Sequence, residues 1–502
     1  MPDPTPLLAA WATRRRAALA RQDPVATQRR TLLRLLRRAA ATRFGRAHDF
    51  AGIRNIAGYQ ERVPLRSWEA LHDEWWAPHF PYLGGVTWPG PIRFFANSSG
   101  TTRSSTKRIP ISAAMLRANR RAALDVLAWH LAARPDSRIL SGAAVFLSGS
   151  TALEELAPNI RAGDLSAIAA VERPVWARGR MLPPDGINRV ADWDAKMRAL
   201  APLVLGHPVS SISGTASWLL LFLELAAEES GHAAPRLHDL FPALELIVHG
   251  GVGFAPYRPR FRRWLDGSDA MLREVYAASE GFVAVADRGD GEGLRLLLDR
   301  GLFLEFVRPA ELGSERPDRR WIANADPGEE YALVLSSNAG LWSYVLGDTV
   351  RLISRRPARI LVTGRTAWTL SVAGEHLSGA ELETALAAAA QFCGRELVEW
   401  SAAPLPPDAA DPRAGHLFAV ELDGAADPDS FARVLDDRLH RGNDDYAAHR
   451  AGDAGLRPPA VRLLPAGRFH AWMAARGRLG AQNKVPRVVA DAAALQTLLD
   501  PP

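Results

Sequence analysis

Cysteine is nearly absent from this chain of 502 residues, in which Cys393 is the single cysteine. An intrachain disulfide is therefore excluded, and this cysteine usage is typical of proteins from a reducing compartment. We accordingly expect a cytoplasmic protein. The thirteen histidines and the cysteine show no spacing typical of zinc ligands, so we expect no transition-metal site.

Long apolar runs are missing as well. The most apolar helical segment, 218–227, is far shorter than the roughly 20 residues that a membrane-spanning helix needs. The apolar run within residues 1–22 is short and is interrupted by arginines, so it does not fit a signal peptide. We therefore expect no membrane partner.

Lysine is scarce, because nearly all basic residues are arginine, and no lysine tract or alternation of aromatic and basic residues occurs. Acidic residues are interspersed with the basic ones, and the formal net charge is +6. This pattern does not favour nucleic acid as a partner. A mild positive field suits small anionic substrates.

The length exceeds what one ordinary core accommodates, so two or three domains are expected. Residues 5–43 predict two amphipathic helices whose arginines form a solvated face. Strands, turns and helices then alternate up to about residue 265, which is typical of an α/β layer with a mainly parallel sheet. Closely spaced strands over 272–362 predict a β-rich subdomain.

The rest of the chain has its own order of helices and strands. We predict an α/β N-terminal domain over 1–365, a hinge over 366–377 and a small α+β C-terminal domain over 378–502. Turns at such junctions are natural hinges.

Residues 97–107 form a loop rich in hydroxyl groups between two strand-like segments. Its backbone N–H groups and hydroxyls can converge on a polyphosphate, and a glycine permits the close approach that this needs. The alternative is a flexible surface loop, and the loop lacks the Gly-Lys-Ser/Thr ending of a Walker loop. The candidate phosphate-binding residues are Ser98, Ser99, Gly100, Thr101, Thr102 and Lys107.

A second candidate is the segment from Tyr276 to Gly281, which begins where a predicted strand ends. Glu280 can hold Mg²⁺ against a triphosphate, and the Tyr276 ring can lie beside a base. Ser279 lies in an Ala-x-Ser-x-Gly pattern, a degenerate form of the hydrolase nucleophile elbow, but the helix required after the serine is not predicted. A turn with a solvated glutamate is the third interpretation.

Three further polar residues lie in glycine-containing turns. Asp348 can accept hydrogen bonds from ribose hydroxyls, Arg365 can reach a phosphate or ribose, and Lys484 can meet developing negative charge. The structural alternatives are a turn aspartate, a linker arginine and a surface lysine. Gly250 and Gly251 follow a strand and let a flat ring approach the backbone.

The order of these motifs resembles the adenylate-forming superfamily, and within it the GH3 family of acyl-acid amido synthetases. The resemblance covers roughly residue 60 to the end. It rests on Ser-Ser-Gly-Thr-Thr at 98–102, Tyr-Ala-Ala-Ser-Glu-Gly at 276–281, Tyr-Val-Leu-Gly-Asp at 344–348 and Gln-Asn-Lys-Val-Pro-Arg at 482–487.

The resemblance implies an adenylate-forming N-terminal domain, a mobile C-terminal domain and the roles of the site residues. The hydroxyl loop would cradle the β- and γ-phosphates of ATP, and Gly250, Gly251 and Tyr276 would surround the adenine. Glu280 would bind Mg²⁺, and Asp348 the ribose. Lys484 would contact the acyl and phosphate oxygens.

The implied activity is ATP-dependent conversion of a small carboxylic acid to an acyl-adenylate, followed by transfer to an amine such as an amino acid. An acyl- or aryl-CoA ligase, a catalytically silent nucleotide-binding protein and a serine hydrolase using Ser279 are the alternatives. Two departures from the family pattern are Val345, where arginine is common, and His376, where plant members carry a lysine. The sequence does not indicate the oligomeric state.

Overall fold

The computed structural model describes the chain outside residues 1–2, 99–106, 174, 191, 233–234, 252–253, 255–256, 367–369, 371, 373–376, 378, 406–412, 444–445, 448–449, 451–455, 477–484, 490–491 and 501–502. It divides into two compact units. The first unit comprises Met1–Val252, Phe261–Leu346 and Val350–Val362, and the second comprises Gly253–Arg260, Gly347–Thr349 and Thr363–Pro502.

Two long helices lie within residues 5–43, as predicted, and several helices of the chain begin at a capping side chain. In the first helix that follows the hydroxyl loop, the Ser112 side chain accepts a hydrogen bond from the N–H of Met115. The helices are α1 Thr5–Ala20, α2 Pro24–Ala39, α3 Arg43–Ala47, α4 Ile56–Arg62, α5 Trp68–Leu71, α6 Ala113–Ala133, α7 Leu165–Val171, α8 Asp185–Asn188, α9 Trp193–Leu205, α10 Ala216–Ser230, α11 Leu237–Leu240, α12 Arg258–Leu265, α13 Gly379–Phe392, α14 Pro428–Gly442, α15 Arg468–Ala475 and α16 Gln496–Leu499.

The strands are β1 Phe94–Ser98, β2 Lys107–Ile111, β3 Ala143–Phe146, β4 Glu154–Ala157, β5 Ile160–Gly163, β6 Met181–Leu182, β7 Val209–Gly214, β8 Leu246–Gly250, β9 Met271–Ala278, β10 Gly281–Val285, β11 Leu294–Leu296, β12 Leu302–Val307, β13 Arg320–Trp321, β14 Glu330–Ser337, β15 Tyr344–Arg355, β16 Ala358–Arg365, β17 Leu397–Leu405, β18 Gly415–Leu422 and β19 Ala460–Leu464. Closely spaced strands occupy residues 272–362, as predicted, whereas β4, β5 and β6 were not predicted from the sequence.

The largest sheet has twelve strands in the order β13-β12-β14-β15-β16-β11-β10-β9-β8-β7-β3-β6. Strands β6, β3, β7, β8 and β9 pair in parallel, as the alternation with helices predicts. Strand β9 then pairs antiparallel with β10. The α/β fold class is confirmed, and the predicted β-rich segment is continuous with the parallel strands in this sheet.

A second sheet, in the order β2-β1-β5-β4, carries the ends of the hydroxyl loop. Its strands β1 and β2 are antiparallel. Phe95 and Ile109 from this sheet join Tyr276 and Leu302 from the large sheet in one hydrophobic core, where all four side chains are buried. Burial of such side chains stabilises each by about 1.5–3 kcal/mol, so the shared core fixes the two sheets relative to each other.

The second unit has its own sheet, β17-β18-β19, in which β17 and β18 are antiparallel and β18 and β19 are parallel. Trp400 and Phe418 are completely buried in a core that helices α13 and α14 complete through Leu386 and Leu435. The predicted alternation of helices and strands in this part of the chain is confirmed.

Within the described residues, no helix combines the length and the apolar character that crossing a bilayer requires.

Candidate functional site

Parallel strands of the large sheet end side by side at one edge. Gly214 of β7 is the register partner of His249, and Gly250 of β8 is the partner of Val275 in β9. The crevice beyond the carboxyl ends of parallel strands is the usual ligand site in open α/β sheets. The glycine pair at 250–251 and the Tyr276 segment therefore lie on adjacent strand ends at such an edge.

Gly250 is required at its position by close packing. A Cβ atom built on Gly250 would lie 2.2 Å from the carbonyl oxygen of Val275, which no side chain can tolerate. Gly251 follows with φ +82, a backbone conformation that glycine adopts without strain. The pair leaves backbone rather than side chains at the end of β8, which suits the approach of a flat ring. The adenine contact itself remains a prediction.

Ser279 and Glu280 form the turn between β9 and β10, because Ala278 and Gly281 are register partners in the antiparallel pair. Tyr276, Ser279 and Glu280 are all buried, with exposures of 8%, 8% and 6%. A strand, not a helix, follows Ser279. The turn therefore lacks the strand-to-helix geometry of a nucleophile elbow, and the geometry does not support the serine hydrolase alternative.

The buried Glu280 carboxylate has a partner that sequence reasoning did not assign. The hydroxyl of Tyr344 donates a hydrogen bond to Oε1 of Glu280 at 3.2 Å, across 64 positions of sequence. Tyr344 is itself buried, at 3% exposure. Tyr344 is the first residue of the Tyr-Val-Leu-Gly-Asp motif. The motif marks the segment as part of the site but does not predict the contact with Glu280.

Ser98 and Lys107 flank the hydroxyl loop and are register partners at the loop end of the antiparallel β1–β2 pair. The loop residues Ser99, Gly100, Thr101 and Thr102 lie outside the described residues. Nζ of Lys107 lies 3.1 Å from Oε1 of Glu69 and 5.8 Å from the ring centroid of Trp68. The ammonium therefore already has a carboxylate partner and an aromatic face, and its phosphate contact remains a prediction.

Asp348 and Arg365 belong to the second unit and contact each other. Nε of Arg365 donates to Oδ1 of Asp348 at 2.9 Å. The N–H of Thr366 donates to the carbonyl of Gly347 at 2.8 Å, which fixes the turn before the aspartate. The structure thus brings together two residues that the sequence assigned separately, and their roles toward a nucleotide remain predictions.

Lys484 and His376 lie outside the described residues. Within the described part of the chain, no three His, Cys, Asp or Glu side chains gather into a metal-binding group. Glu280 offers a hard oxygen ligand. Mg²⁺ in nucleotide sites takes one or two carboxylates together with phosphate oxygens and water, so a single carboxylate fits this ion.

Curated relatives and solved structures with known names resemble this chain in sequence or in fold. The indole-3-acetic acid-amido synthetase GH3.3 of Arabidopsis thaliana is 24% identical over 267 residues, which are 49% of this chain. The match spans only 43% of the length of that relative. The solved GH3.15 acyl acid amido synthetase superposes with a TM-score of 0.79 over 96% of this chain and 94% of that one, at 17% identity.

A second solved structure, 2-hydroxyisobutyryl-CoA ligase in the postadenylation state in complex with 2-HIB-AMP, superposes with a TM-score of 0.60. The superposition covers 93% of this chain and 90% of that one, at 16% identity, so this likeness concerns the fold.

Three family models match the chain in consecutive order. They are the GH3 family N-terminal domain over residues 14–213, the GH3 family central domain over 295–365 and the GH3 family C-terminal domain over 380–493. Together they cover well over half of the sequence. The chain therefore belongs to the GH3 family.

Proposed function

We propose that this protein activates a carboxylic acid with ATP to form an acyl-adenylate and transfers the acyl group to an amine, such as that of an amino acid. The observation that carries the proposal is the match of all three GH3 domain models in order along the chain. The relatives named above include an acid-amido synthetase, and one structural neighbour holds an acyl-adenylate.

The chemistry explains why two steps are needed. A carboxylate is a poor electrophile because its leaving group would be oxide. Attack of a carboxylate oxygen on the α-phosphorus of ATP expels pyrophosphate and gives a mixed anhydride. The amine nitrogen then attacks the acyl carbon, AMP leaves, and the nitrogen loses a proton to solvent. Such reactions gain most from positioning and from charge neutralisation.

We assign the described residues to the nucleotide. The backbone at Gly250 and Gly251 and the ring of Tyr276 accommodate the adenine, Ser279 lies beside them, and Glu280 holds Mg²⁺. When bound, Mg²⁺ neutralises negative charge on the polyphosphate.

The remaining nucleotide contacts are assigned residue by residue. Ser98, Lys107 and the loop between them bind the phosphates. Asp348 accepts the ribose hydroxyls, and its ion pair with Arg365 orients the carboxylate. Lys484 neutralises the reacting oxygens. Residues 366–377 are proposed as the hinge between the domains 1–365 and 378–502.

A CoA ligase is the second candidate, because a CoA ligase is among the structural neighbours. Both candidates share the first half-reaction and differ in whether an amine or a thiol attacks the adenylate. The acceptor therefore has to be determined by experiment.

An acid-dependent ATP–pyrophosphate exchange screen across aryl, indolyl and fatty acids tests the adenylation step. Incubation of the active acid with ATP and either amino acids or CoA then identifies the acceptor. We expect exchange and an amide product. Exchange followed by a thioester would establish the CoA ligase, and no exchange with any acid would leave a silent nucleotide-binding protein.

Replacement of the candidate lysine tests the assignment of residues. We expect Lys484→Ala to slow acyl-AMP formation at least about a hundredfold, because a cation that meets charge developing in the transition state contributes this much. ATP binding should be mostly retained. Arg438→Ala removes an exposed cation from α14 of the same unit and is the matched control. Normal adenylation by Lys484→Ala would refute the role of this lysine.

A further inference from the structure

Ser343, in the turn before β15, adopts a strained backbone conformation inside the protein. Its φ is +46, in the left-handed region, and its side chain is completely buried. This conformation costs a residue with a Cβ atom about 1–2 kcal/mol. Strain of this kind persists where the surrounding structure holds it, and it concentrates at functional sites.

Four hydrogen bonds hold Ser343 in this conformation. Its N–H donates to Oγ of Ser336 at 3.0 Å, and its carbonyl accepts from the N–H of Arg66 at 3.0 Å. Its Oγ donates to the hydroxyl of Tyr59 at 2.9 Å and accepts from Nη2 of Arg319 at 2.7 Å. Both backbone groups and the side chain are therefore satisfied in this one arrangement.

Arg319 is itself immobilised. Its Nε and Nη2 each donate to one carboxylate oxygen of the completely buried Glu305, both at 3.0 Å. Its Nη1 donates to the carbonyls of Gln60 and Val63 at 2.9 and 2.6 Å. Charge-assisted bidentate pairs combine strength with fixed geometry. The guanidinium that contacts Ser343 thus cannot move without breaking several hydrogen bonds.

The residue that follows this strained turn is Tyr344. The N–H of Val345 donates to the carbonyl of Arg66 at 2.9 Å, so the backbone is held on both sides of Tyr344. The hydroxyl of Tyr344 then reaches Oε1 of Glu280 at 3.2 Å. The direction of the tyrosine ring is therefore set by a turn that is strained and fully hydrogen-bonded.

We propose that Ser343 and Tyr344 are positioning residues that hold the Glu280 carboxylate in one orientation for a Mg²⁺–nucleotide. This inference rests on the proposed function, and it identifies the residues that orient the Glu280 carboxylate. Mg²⁺ demands nearly ideal octahedral geometry, so a carboxylate that is already oriented binds it better than one that rotates. Loss of a group that orients a metal ligand typically weakens metal affinity by about 10–100-fold.

The experiment uses Mn²⁺ as a paramagnetic substitute for Mg²⁺ and measures its binding to the full-length protein by electron paramagnetic resonance. A saturating, non-cleavable ATP analogue with a methylene bridge between the α- and β-phosphates is present, and no acid is added. We expect Tyr344→Phe to raise the Mn²⁺ dissociation constant about tenfold or more, with an unfolding midpoint close to that of the unaltered protein.

Tyr331→Phe is the matched control. Tyr331 is also completely buried in the first unit, and its hydroxyl accepts from the N–H of Asp326 at 3.0 Å. The same chemical change there should leave Mn²⁺ binding unaltered.

Two variants at Ser343 distinguish the effect of the strained backbone from the effect of the side-chain hydroxyl. Ser343→Gly keeps the left-handed backbone without strain and should weaken Mn²⁺ binding less than Ser343→Ala.

The outcomes distinguish the two proposals. Unaltered Mn²⁺ binding by Tyr344→Phe would overturn the positioning role even if the protein catalyses exchange. Absence of acid-dependent exchange, with Mn²⁺ binding weakened only by the Tyr344 and Ser343 variants, would refute the proposed function and support this inference. Equal weakening by Tyr344→Phe and Tyr331→Phe would show a general packing effect and would also overturn it.

Discussion

At the scale of single residues, the buried Lys196 and the partly buried Asp164 influence how the stability of the first unit depends on pH. Lys196 is 1% exposed, and its Nζ donates to the carbonyls of Ser148 and Gly149 at 2.8 and 3.1 Å. Burial lowers the pKa of Lys196 to about 8, while the charge of Asp164 opposes this change. Burial likewise raises the pKa of Asp164 to about 6, with Lys196 opposing.

The raised pKa of Asp164 predicts a specific dependence of stability on pH. The folded state binds this proton more tightly than the unfolded state, whose value is near 3.8. The resulting stabilisation is fully present below pH 3.8 and is lost as the pH rises through 6. We therefore expect the free energy of unfolding of the protein, relative to that of Asp164→Asn, to fall by about 2–3 kcal/mol between pH 4 and pH 7.

Urea unfolding at a series of pH values measures this difference. Asp136→Asn removes a carboxylate whose side chain is 84% exposed and controls for the general loss of surface charge. A difference between the protein and Asp164→Asn that stays constant from pH 4 to pH 7 would contradict the assigned shift.

At the scale of elements, helix α1 is tied to the rest of the first unit by a buried arginine. Nε and Nη2 of Arg15 donate to the two oxygens of Asp125 in α6, at 2.7 and 3.0 Å, and a second fork reaches Asp299 at 2.6 and 2.9 Å. Arg300 donates to the same Asp125 at 2.8 and 2.6 Å. The prediction that the arginines of residues 5–43 form a solvated face is wrong for Arg15.

Removal of the shared carboxylate charge should therefore destabilise the first unit strongly. Asp125 is completely buried, and Asp125→Asn leaves two guanidinium groups in the interior with too little negative charge. We expect the free energy of unfolding to fall by about 3–5 kcal/mol. Asp299→Asn keeps the hydrogen bonds of both arginines to Asp125. It should lower the free energy of unfolding clearly less, because the Asp299 side chain is 30% exposed. Equal losses in urea unfolding would contradict this account.

Local sequence predicted most helices and strands, but it did not predict how the parallel and antiparallel strands pair with each other across the sheet. The two helices within residues 5–43 and the closely spaced strands over 272–362 were predicted, because periodicity and strand spacing are local signals. The pairing of β9 with both β8 and β10 joins the parallel and antiparallel parts in one sheet. Spacing along the chain does not encode that pairing.

Contacts between residues far apart in sequence were likewise not predicted for the candidate site. Glycine turns and strand ends indicated where Glu280 and Asp348 lie in the fold. Their contacts with Tyr344 and Arg365, and that of Lys107 with Glu69, connect distant parts of the chain. Local pattern therefore found the polar residues of the site, whereas the network that orients them required the structure.

At the scale of the whole molecule, the scarcity of lysine makes a chemical test possible. The chain has Lys107, Lys196 and Lys484 among its 61 basic residues. The side chain of Lys107 is 21% exposed, whereas Lys196 is buried in the first unit. An amine-selective reagent such as an N-hydroxysuccinimide acetate ester therefore reports on few positions, and each position can be followed by mass spectrometry of its peptide.

We expect acetylation of Lys107 in the native protein to be at least about a hundredfold faster than that of Lys196, because the buried amine becomes accessible only when its surroundings open. In rising urea, acetylation of Lys196 should follow the unfolding of the first unit as measured by circular dichroism. ATP, Mg²⁺ and an accepted acid should slow acetylation of Lys484 severalfold, since the proposed function places this lysine at the reacting oxygens. Rapid acetylation of Lys196 in native buffer would contradict its buried position. If the substrates did not slow acetylation of Lys484, only the role of Lys484 in adenylation would be contradicted.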